Sequence, residues 1–370
     1  MEKITICKLC LMPSSRPRIS FDIKGICNAC NYQNKKSLID WNSRKLEFEE
    51  ICNEHRSKDG SYDCIVPWSG GKDSSSIAYK LKYEFKMNPL LTTFSPLMPT
   101  DIGNINRQLL ISKGFDNLYL RPNQKVSKYL SKRFFIERGN PKVHWDAGIN
   151  AFPLNVAVEK NIKLIFYAEH GESEYGGKII DKDSDKIRNL EEVLENQIGD
   201  DPTNWTDNLI RLQDLIPYTC PNEKKIKENK IKAYYFSYFF KWDVYENYKY
   251  VRDKFGFKEK DSRISGTFQN YDSMDDEIDP LYYYMQYIKF GFGRALRDSS
   301  RLIQNGHLNR KEAIEYVNKF DGEYPEEKLD EVLKYLDCSI IEFNENINKH
   351  RNKEIWSLQG NDYKLNFKIE

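Results

Sequence analysis

The sequence contains no long apolar run and no excess of charge of either sign. Its 370 residues carry 57 basic and 56 acidic side chains, a formal net charge of +1. This balance gives no electrostatic footprint for a large polyanion such as a nucleic acid. No run approaches the roughly 18 apolar residues of a membrane span, and the first residues lack an apolar signal stretch. We therefore expect a cytoplasmic protein that binds neither nucleic acid nor a membrane.

The sequence also lacks a Walker A loop, although it contains a glycine pair followed by lysine. A Walker A loop reads G-x4-G-K-[ST]. Here Val66 lies five residues before Gly71, and Asp73 follows Lys72. The match therefore fails at two positions, so the glycine pair belongs to another kind of loop.

The run PWSGGKDSS, residues 67–75, is the most informative stretch of the chain. It follows an apolar run at residues 62–66 and precedes a segment with helical spacing. A glycine turn between a strand and a helix lets backbone N–H groups and the helix N-terminus converge on phosphate oxygens. Lys72 adds a mobile positive charge, and Ser69 and Ser74 add hydroxyl donors. We interpret this run as a nucleotide-phosphate site.

Cysteine occurs eight times, which in a reducing compartment indicates metal binding rather than a disulfide framework. Four cysteines form two C-x2-C pairs separated by sixteen residues: Cys7, Cys10, Cys27 and Cys30. This spacing is typical of zinc sites, and four thiolates leave no open position for water. We predict a structural zinc in a small two-stranded ribbon over residues 1–34. An iron–sulfur cluster is the alternative that four thiolates leave open.

Apolar runs alternate with helical patterns through the next part of the chain. The runs are residues 62–66, 89–94, 117–120 and 162–168, and the helical patterns are residues 102–113, 126–138 and 149–160. This alternation predicts an α/β fold with a doubly wound parallel sheet over residues 35–230. Within it, the polar residues 181–230 predict an exposed insertion with short helices. Residues 231–370 predict a mainly helical region.

Two segments that follow predicted strands contain candidate site residues, because ligands bind at the carboxyl ends of parallel strands. The candidates are Thr100 and Asn106 in the first segment, and Glu169, Glu172, Glu174 and Tyr175 in the second. Carboxylates clustered at a strand end favour contact with Mg²⁺, adenosine or substrate. Acidic surface loops are also common, and that alternative stays open.

A third candidate segment lies near residue 290. Gly291 and Gly293 interrupt a helical pattern, which costs stability unless the backbone approaches something closely. Lys289 and Arg294 flank these glycines and could hold a carboxylate or a phosphate. A helix kink with solvated charges is the alternative.

These motifs together resemble a known family. The loop at residues 67–74 resembles the PP-loop of the ATP pyrophosphatase superfamily. With the cysteine quartet, ESEYGG at 172–177 and KFGFGR at 289–294, the chain looks like the N-acetyl sugar amidotransferases of bacterial surface-polysaccharide and flagellin-glycan biosynthesis, which include the lipopolysaccharide and pseudaminic acid amidotransferases. The resemblance runs from Cys7 to about Trp356.

The resemblance implies an adenine nucleotide alpha hydrolase-like fold and an ATP-dependent reaction. A sugar N-acetyl group would become an acetamidino group through an O-adenylyl imidate that ammonia attacks. The pyrophosphate would be held by Ser69, Gly70, Gly71, Lys72 and Ser74, and Asp73 would position Mg²⁺ or the loop. The catalytic candidates are Lys72, Asp73 and Glu172. The substrate-binding candidates are Thr100, Asn106, Glu169, Glu174, Tyr175, Lys289 and Arg294.

The ammonia source is expected to be a separate protein. Glutamine hydrolysis needs an activated cysteine, yet residue 2 is Glu, Cys7 is assigned to metal, and none of the five histidines accompanies a recognisable nucleophile turn. The resemblance implies a glutaminase subunit with a barrel-like companion. It also implies a nucleotide sugar or a nonulosonic acid as the substrate.

The sequence leaves two other functions open. A tRNA-thiolating enzyme would also join a PP-loop to zinc knuckles, but it would need a reactive cysteine pair and a basic RNA-binding face. A non-enzymatic zinc-ribbon adaptor would not need an intact ATP loop.

Overall fold

The computed structural model describes residues 3–179 and 185–370. Its centre is a five-stranded sheet in the order β3-β2-β1-β4-β5, and every neighbouring pair is parallel. The strands are β1 Cys64–Pro67, β2 Pro89–Phe94, β3 Asp116–Leu120, β4 Leu164–Tyr167 and β5 Lys232–Tyr235. The chain runs outward from β1 to β3 and then returns to place β4 beside β1. This reversal of strand order creates a crevice at the carboxyl ends of β1 and β4.

Sixteen α-helices surround or follow the sheet in the described residues. Those up to β4 are α1 Asn28–Lys35, α2 Trp41–His55, α3 Lys72–Tyr83, α4 Asp101–Ile111, α5 Gln124–Arg138 and α6 Val143–Lys160. Those between β4 and the end of the sheet region are α7 Gly171–Tyr175, α8 Leu190–Val193, α9 Glu223–Glu228 and α10 Phe236–Phe239. The last six are α11 Val244–Phe255, α12 Asp279–Phe290, α13 Arg294–Gln304, α14 Arg310–Phe320, α15 Leu329–Leu336 and α16 Ile340–His350. Short 3₁₀ helices span Lys36–Leu38, Pro202–Trp205 and Leu212–Tyr218, and a π-helical turn spans Leu194–Ile198.

The sheet is buried on both faces because its strands are apolar at successive positions. Ile65 and its register partner Ile165 pack with α6 on one face. Val66 and Phe166 pack with α3 and with Phe48 of α2 on the other. A strand covered on both faces reads as a continuous apolar run, which is why these strands could be recognised from the sequence.

The predicted α/β class and parallel sheet are confirmed. Strand β2 has the predicted bounds, and β1, β3 and β4 lie within two residues of theirs. The predicted helices correspond to α4, α5 and α6, although α6 begins six residues earlier than its pattern indicated. The division at residues 34 and 230 stays a prediction. Strand β5 joins the segment after residue 230 to the sheet.

The insertion at residues 181–230 is less exposed than predicted. Its first residues, 181–184, which contain part of the charged run 181–186, lie outside the described residues. The described remainder forms the expected short helices, yet Trp205, Leu215 and Tyr218 are fully buried against α5 and α6. Widely spaced apolar residues in a polar segment gave no periodic signal, so the sequence did not reveal this anchoring.

The C-terminal region is mainly helical, as predicted, and also contains a hairpin that the sequence analysis missed. Strands β6 Trp356–Gln359 and β7 Asp362–Leu365 pair antiparallel. The predicted glycine interruption is a break between α12 and α13 rather than a kink. Gly291 ends α12 with φ +71°, and Gly293 precedes α13 with its N–H donated to Asp321.

In the described part of the chain, no helix combines the length and apolar character that crossing a bilayer requires.

The stability of the protein should depend on pH because one histidine, His144 on α6, is buried. Burial lowers the pKa of His144 to about 3, and the ring contacts the Ser127 hydroxyl at 3.1 Å. Between that value and the unfolded value of about 6.5, the unfolded chain binds the extra proton, so stability falls as the pH falls. We expect this histidine alone to lower the free energy of unfolding by about 1.4 kcal/mol for each pH unit below about 6.5. Urea unfolding at pH 7 and pH 5 should show a smaller loss in His144→Gln than in the wild type. Equal losses would contradict the assignment.

Candidate functional site

The loop between β1 and α3 has the backbone geometry of an anion site. Gly70 has φ +100°, and a Cβ there would lie 2.6 Å from Cγ of Arg107, so only glycine fits. Gly71 precedes α3, and no side chain of the described residues caps that helix. The first N–H groups of a twelve-residue helix are therefore available to a ligand, and the helix dipole favours a negative one.

Lys72 lies at the base of this loop, nearly inaccessible to solvent. Its Nζ contacts Oδ2 of Asp73 at 2.7 Å and Oδ1 of Asp272 at 2.6 Å. Burial alone would lower the pKa of Lys72, but the two carboxylates outweigh it and raise the pKa to about 12. The lysine is therefore positively charged at every physiological pH. A fixed charge beside the helix N-terminus is suited to stabilising phosphate oxygens.

The C-terminal region holds both carboxylates in place. The amide of Asn247, on α11, donates to Oδ1 of Asp73 at 2.9 Å. Arg297, on α13, donates to Oδ2 of Asp272 at 3.0 Å, and Arg294 donates to the Asp272 backbone carbonyl. Burial opposes ionisation of Asp272, yet Lys72 and the arginines hold the pKa of this carboxyl well below its usual range. The loop is thus completed by residues about 170 to 230 positions further along the chain.

A cavity of about 490 Å³ opens beside the loop at the carboxyl ends of β1, β2 and β4. Residues 67–74 form one side of it. The wall also contains apolar side chains from Phe94, Trp145, Ile149 and Tyr167, and charged side chains from Lys142, Asp146, Glu169 and Arg188. About half of the lining residues are polar or charged, so the cavity combines apolar surface with groups suited to a charged small molecule of nucleotide size.

Of the three predicted glutamates, Glu169 is the one that lines this cavity. Burial raises the pKa of Glu169, and the nearby charge of Asp73 raises it further. The Tyr175 hydroxyl donates to the Glu169 carboxylate at 3.0 Å and accepts from the Trp242 indole at 3.2 Å. A carboxyl group whose pKa is raised by burial and by a neighbouring carboxylate is stabilised in its charged form by a bound cation.

The other two predicted glutamates are paired with basic residues from the N-terminal segment. Arg18 makes a bidentate pair with Glu172, at 2.9 and 2.7 Å. Lys36 contacts Glu174 at 2.5 Å, and both side chains are buried. Neither glutamate lines the loop cavity. Their present contacts attach the N-terminal segment to α7.

The remaining predicted substrate residues make contacts within the protein. Thr100 caps α4 and donates to the Met274 carbonyl, and Asn106 makes two bonds to the Lys258 backbone from the cavity wall. Lys289 donates to the Arg138 carbonyl at 3.1 Å, and burial lowers the pKa of Lys289 to about 8. Neither Lys289 nor Arg294 lines the loop cavity. Their assignment as substrate ligands stays a prediction.

The four predicted metal ligands do come together. The sulfur atoms of Cys7, Cys10, Cys27 and Cys30 all lie within 4.8 Å of one another and are buried. In place of the predicted two-stranded ribbon, the segment contains isolated antiparallel bridges, and α1 begins directly after Cys27. The Cys27 N–H points at the Cys7 sulfur at 3.3 Å, which is a stabilising contact for a thiolate. Four converging thiols fit a closed tetrahedral site, so this group could hold a metal such as zinc.

Several residues of this site could not have been found from the sequence. Asn247, Asp272 and Arg297 lie in segments with no motif of their own. The only local signal was the mixture of Arg and Asp in residues 294–298, which is equally typical of a solvated helix face. Their role depends on α11 and α13 packing against the loop.

Comparison with known proteins supports a biosynthetic role. Residues 228–369 match the family model for the C-terminal domain of WbpG-like proteins of LPS biosynthesis. This match supports a lipopolysaccharide-biosynthesis family and suggests an enzyme. An uncharacterized protein of Methanocaldococcus jannaschii is 36% identical over 85 residues, which cover 23% of this chain and 30% of that protein. The matched domain contains Asn247, Asp272, Arg294 and Arg297, the residues that support the loop.

Proposed function

We propose that the protein is an ATP-dependent amidotransferase of surface-glycan biosynthesis, which converts a sugar N-acetyl group into an acetamidino group. The observation that carries the proposal is the glycine loop, with an uncapped helix N-terminus and the buried Lys72 ion-paired to Asp73 and Asp272, beside a 490 Å³ cavity. The match of residues 228–369 to an LPS biosynthesis domain supports the glycan context. The loop resembles the PP-loop, and the strand order fits a doubly wound nucleotide-binding sheet.

The proposed reaction has two steps. The acetamido oxygen attacks the α-phosphorus of ATP, the bond from the α-phosphorus to the bridging oxygen breaks, and pyrophosphate leaves. Ammonia then attacks the carbon of the O-adenylyl imidate, and AMP leaves with the former amide oxygen. The imidate forms in its protonated state and keeps the amide N–H. After ammonia adds, one of its protons is released to solvent, and the product is the protonated amidine. Adenylation is needed because an amide oxygen is otherwise a poor leaving group.

The protein's contribution to the first step is electrostatic. Lys72 and the N–H groups at the start of α3 would bind the departing pyrophosphate, with Ser69, Gly70, Gly71 and Ser74 shaping the turn. Asp73 and Glu169 would hold Mg²⁺, a hard cation that binds carboxylate oxygens together with substrate phosphates. Because Lys72 is fixed by Asp272 before ATP binds, no reorganisation is needed when charge develops on the phosphate oxygens.

The cysteine cluster would hold zinc through Cys7, Cys10, Cys27 and Cys30, and its role would be structural. Four thiolates leave zinc without an open position for catalysis. The Ser300 hydroxyl on α13 donates to the Cys10 carbonyl at 2.6 Å. The metal would thereby fix the helix that also carries Arg297.

The assay for this function is direct. Purified protein is incubated with ATP, Mg²⁺, ammonium chloride and a panel of N-acetylated nucleotide sugars and nonulosonic acids. We expect AMP and pyrophosphate in equal amounts, together with a sugar product whose mass shows the exchange of oxygen for an NH group. ADP and phosphate in place of AMP and pyrophosphate would contradict the proposal.

The same assay predicts the nitrogen source. We expect product with high ammonium chloride above about pH 8, where more of the amine is unprotonated, and none with glutamine alone. The reason is that burial outweighs the nearby cations Arg188 and Arg56 and raises the pKa of Cys220 to about 12 and that of Cys52 to about 12, so neither thiol is activated. Adding a glutaminase subunit and its barrel-like companion should restore glutamine-dependent turnover. Robust turnover with glutamine and this chain alone would overturn the need for a partner.

A further inference from the structure

A second cavity, of about 240 Å³, lies against the first. It is enclosed by the N-terminal cysteine segment, by Tyr175 and by helices α12 and α13. Tyr282 and Tyr283 of α12 line both cavities, so the two share a wall. Tyr175 also links them, because its hydroxyl donates to Glu169 of the loop cavity.

Three guanidinium groups line this second cavity: Arg16, Arg297 and Arg301. Arg297 forms ion pairs with Asp272 and Asp298, at 3.0 and 2.7 Å. The other two are not neutralised in this way. Within residues 3–179 and 185–370, Arg301 makes no side-chain hydrogen bond or ion pair and stacks on the Tyr175 ring at 3.7 Å. Arg16 makes a single hydrogen bond, to the Gly176 carbonyl at 3.3 Å.

This arrangement leaves guanidinium N–H groups without acceptors when no anion is bound. Arg16 and Arg301 are both partly withdrawn from solvent. Burial, and then the charge of Arg301, lower the pKa of Arg16 to about 10. The like charges of Arg16 and Arg301 oppose each other, an effect that Glu172 offsets only in part. Apart from the bond to the Gly176 carbonyl, their N–H donors have no protein acceptor in the described residues. A bound carboxylate or phosphate would remove both costs, since guanidinium forks match either group in bidentate geometry.

We propose that the Arg16–Arg297–Arg301 cavity binds the anionic group, carboxylate or phosphate, of the acceptor sugar whose acetamido group reacts in the loop cavity. This inference rests on the proposed function. Because the cavities adjoin at Tyr282 and Tyr283, one molecule reaching past these two side chains would place its acid in the second cavity and its acetamido group near Lys72 and Glu169. In this arrangement the cysteine segment would contact the substrate directly, through Arg16. Arg16 lies between the two cysteine pairs, so the metal would position a substrate contact.

The test is calorimetric binding of three probes to the full chain, without ATP or ammonia. N-acetylneuraminic acid offers a carboxylate and no phosphate, UDP-N-acetylglucosamine offers a diphosphate and no carboxylate, and N-acetylglucosamine offers neither. We expect at least one anionic probe to bind about tenfold or more tightly than the neutral sugar. We expect Arg301→Gln and Arg16→Gln each to weaken it about tenfold or more. The matched control, Arg252→Gln on α11, removes an exposed arginine and should stay within about twofold.

The outcomes are separable. Tight binding of the carboxylate probe assigns the cavity to a sugar acid, and tight binding of the diphosphate probe assigns it to a nucleotide sugar. Anion binding that is weakened more by Arg301→Gln than by Lys72→Ala places the anion in the second cavity, whereas the reverse order would overturn the assignment. Equal affinity of all probes, or unchanged affinity in Arg301→Gln with an unchanged melting temperature, would also overturn it. Because no chemistry is measured, failure of the amidine-forming reaction would leave these results unchanged.

Discussion

Lys72→Ala is expected to reduce AMP and pyrophosphate formation about 10²- to 10³-fold or more, because the lysine charge acts mainly on phosphate oxygens in the transition state. The substitution removes the only ammonium group that contacts both Asp73 and Asp272 in the described structure. Asp73→Asn should have a similar effect by a different route, since it weakens both the ion pair with Lys72 and a proposed Mg²⁺ ligand. Turnover is measured by pyrophosphate release at saturating ATP.

The control for this prediction is Lys82→Ala, on the same helix. Lys82 is half-buried, donates to the Gly114 carbonyl and lies over the Phe115 ring. It does not line the loop cavity, so its loss should leave turnover unchanged. Removing a buried cation can also destabilise the protein, because it leaves carboxylates unpaired. Asp272 keeps Arg297 as a partner, and Asp73 is partly exposed, so we expect Lys72→Ala to fold. Near wild-type turnover in a folded variant would show that the loop assignment is wrong.

Cys27→Ser is expected to lower zinc content from one per chain and to reduce stability on the order of several kcal/mol, because structural metal binding contributes directly to folding free energy. The remaining three thiolates would leave an open shell. The effect should extend to the site. Ser300 and Gln304 of α13 contact Cys10 and Cys30, and the same helix holds Asp272 through Arg297. Turnover should therefore fall together with melting temperature and metal content.

A cysteine outside the cluster provides the comparison. Cys220→Ser changes a half-buried thiol that is not part of the cluster, and it should leave the zinc content unchanged. Elemental analysis is the deciding measurement. Iron in the purified protein, or no metal together with unchanged stability in Cys27→Ser, would contradict a structural zinc site.

The C-terminal region supplies side chains that hold the loop residues in place. The region that matches the LPS biosynthesis domain, residues 228–369, supplies Asn247 to Asp73 and Asp272 to Lys72. Without these residues, Lys72 would keep only Asp73 as an ion-pair partner. This predicts that the two parts of the chain act as one unit in the proposed reaction.

The sequence by itself determined the features that depend on neighbouring residues. Parallel strands buried on both faces appear as continuous apolar runs, which located β1 to β4. The glycine turn before α3 requires a backbone that only glycine adopts at Gly70, so it is visible as a motif. The cysteine pairs are likewise recognisable because a metal knuckle needs two thiols at a fixed short spacing.

Only the tertiary structure decided which charged residues serve the loop. Glu172 and Glu174 were predicted from their place after a strand, but the packing of the N-terminal segment pairs them with Arg18 and Lys36. Asp272 lies 200 residues beyond Lys72 and carries no motif. An ion pair forms wherever packing brings opposite charges together out of solvent. The sequence around one charged residue among many does not show which partner it will meet in the fold. The strands and the glycine turn were therefore readable from the sequence, whereas the partners of Lys72 were not.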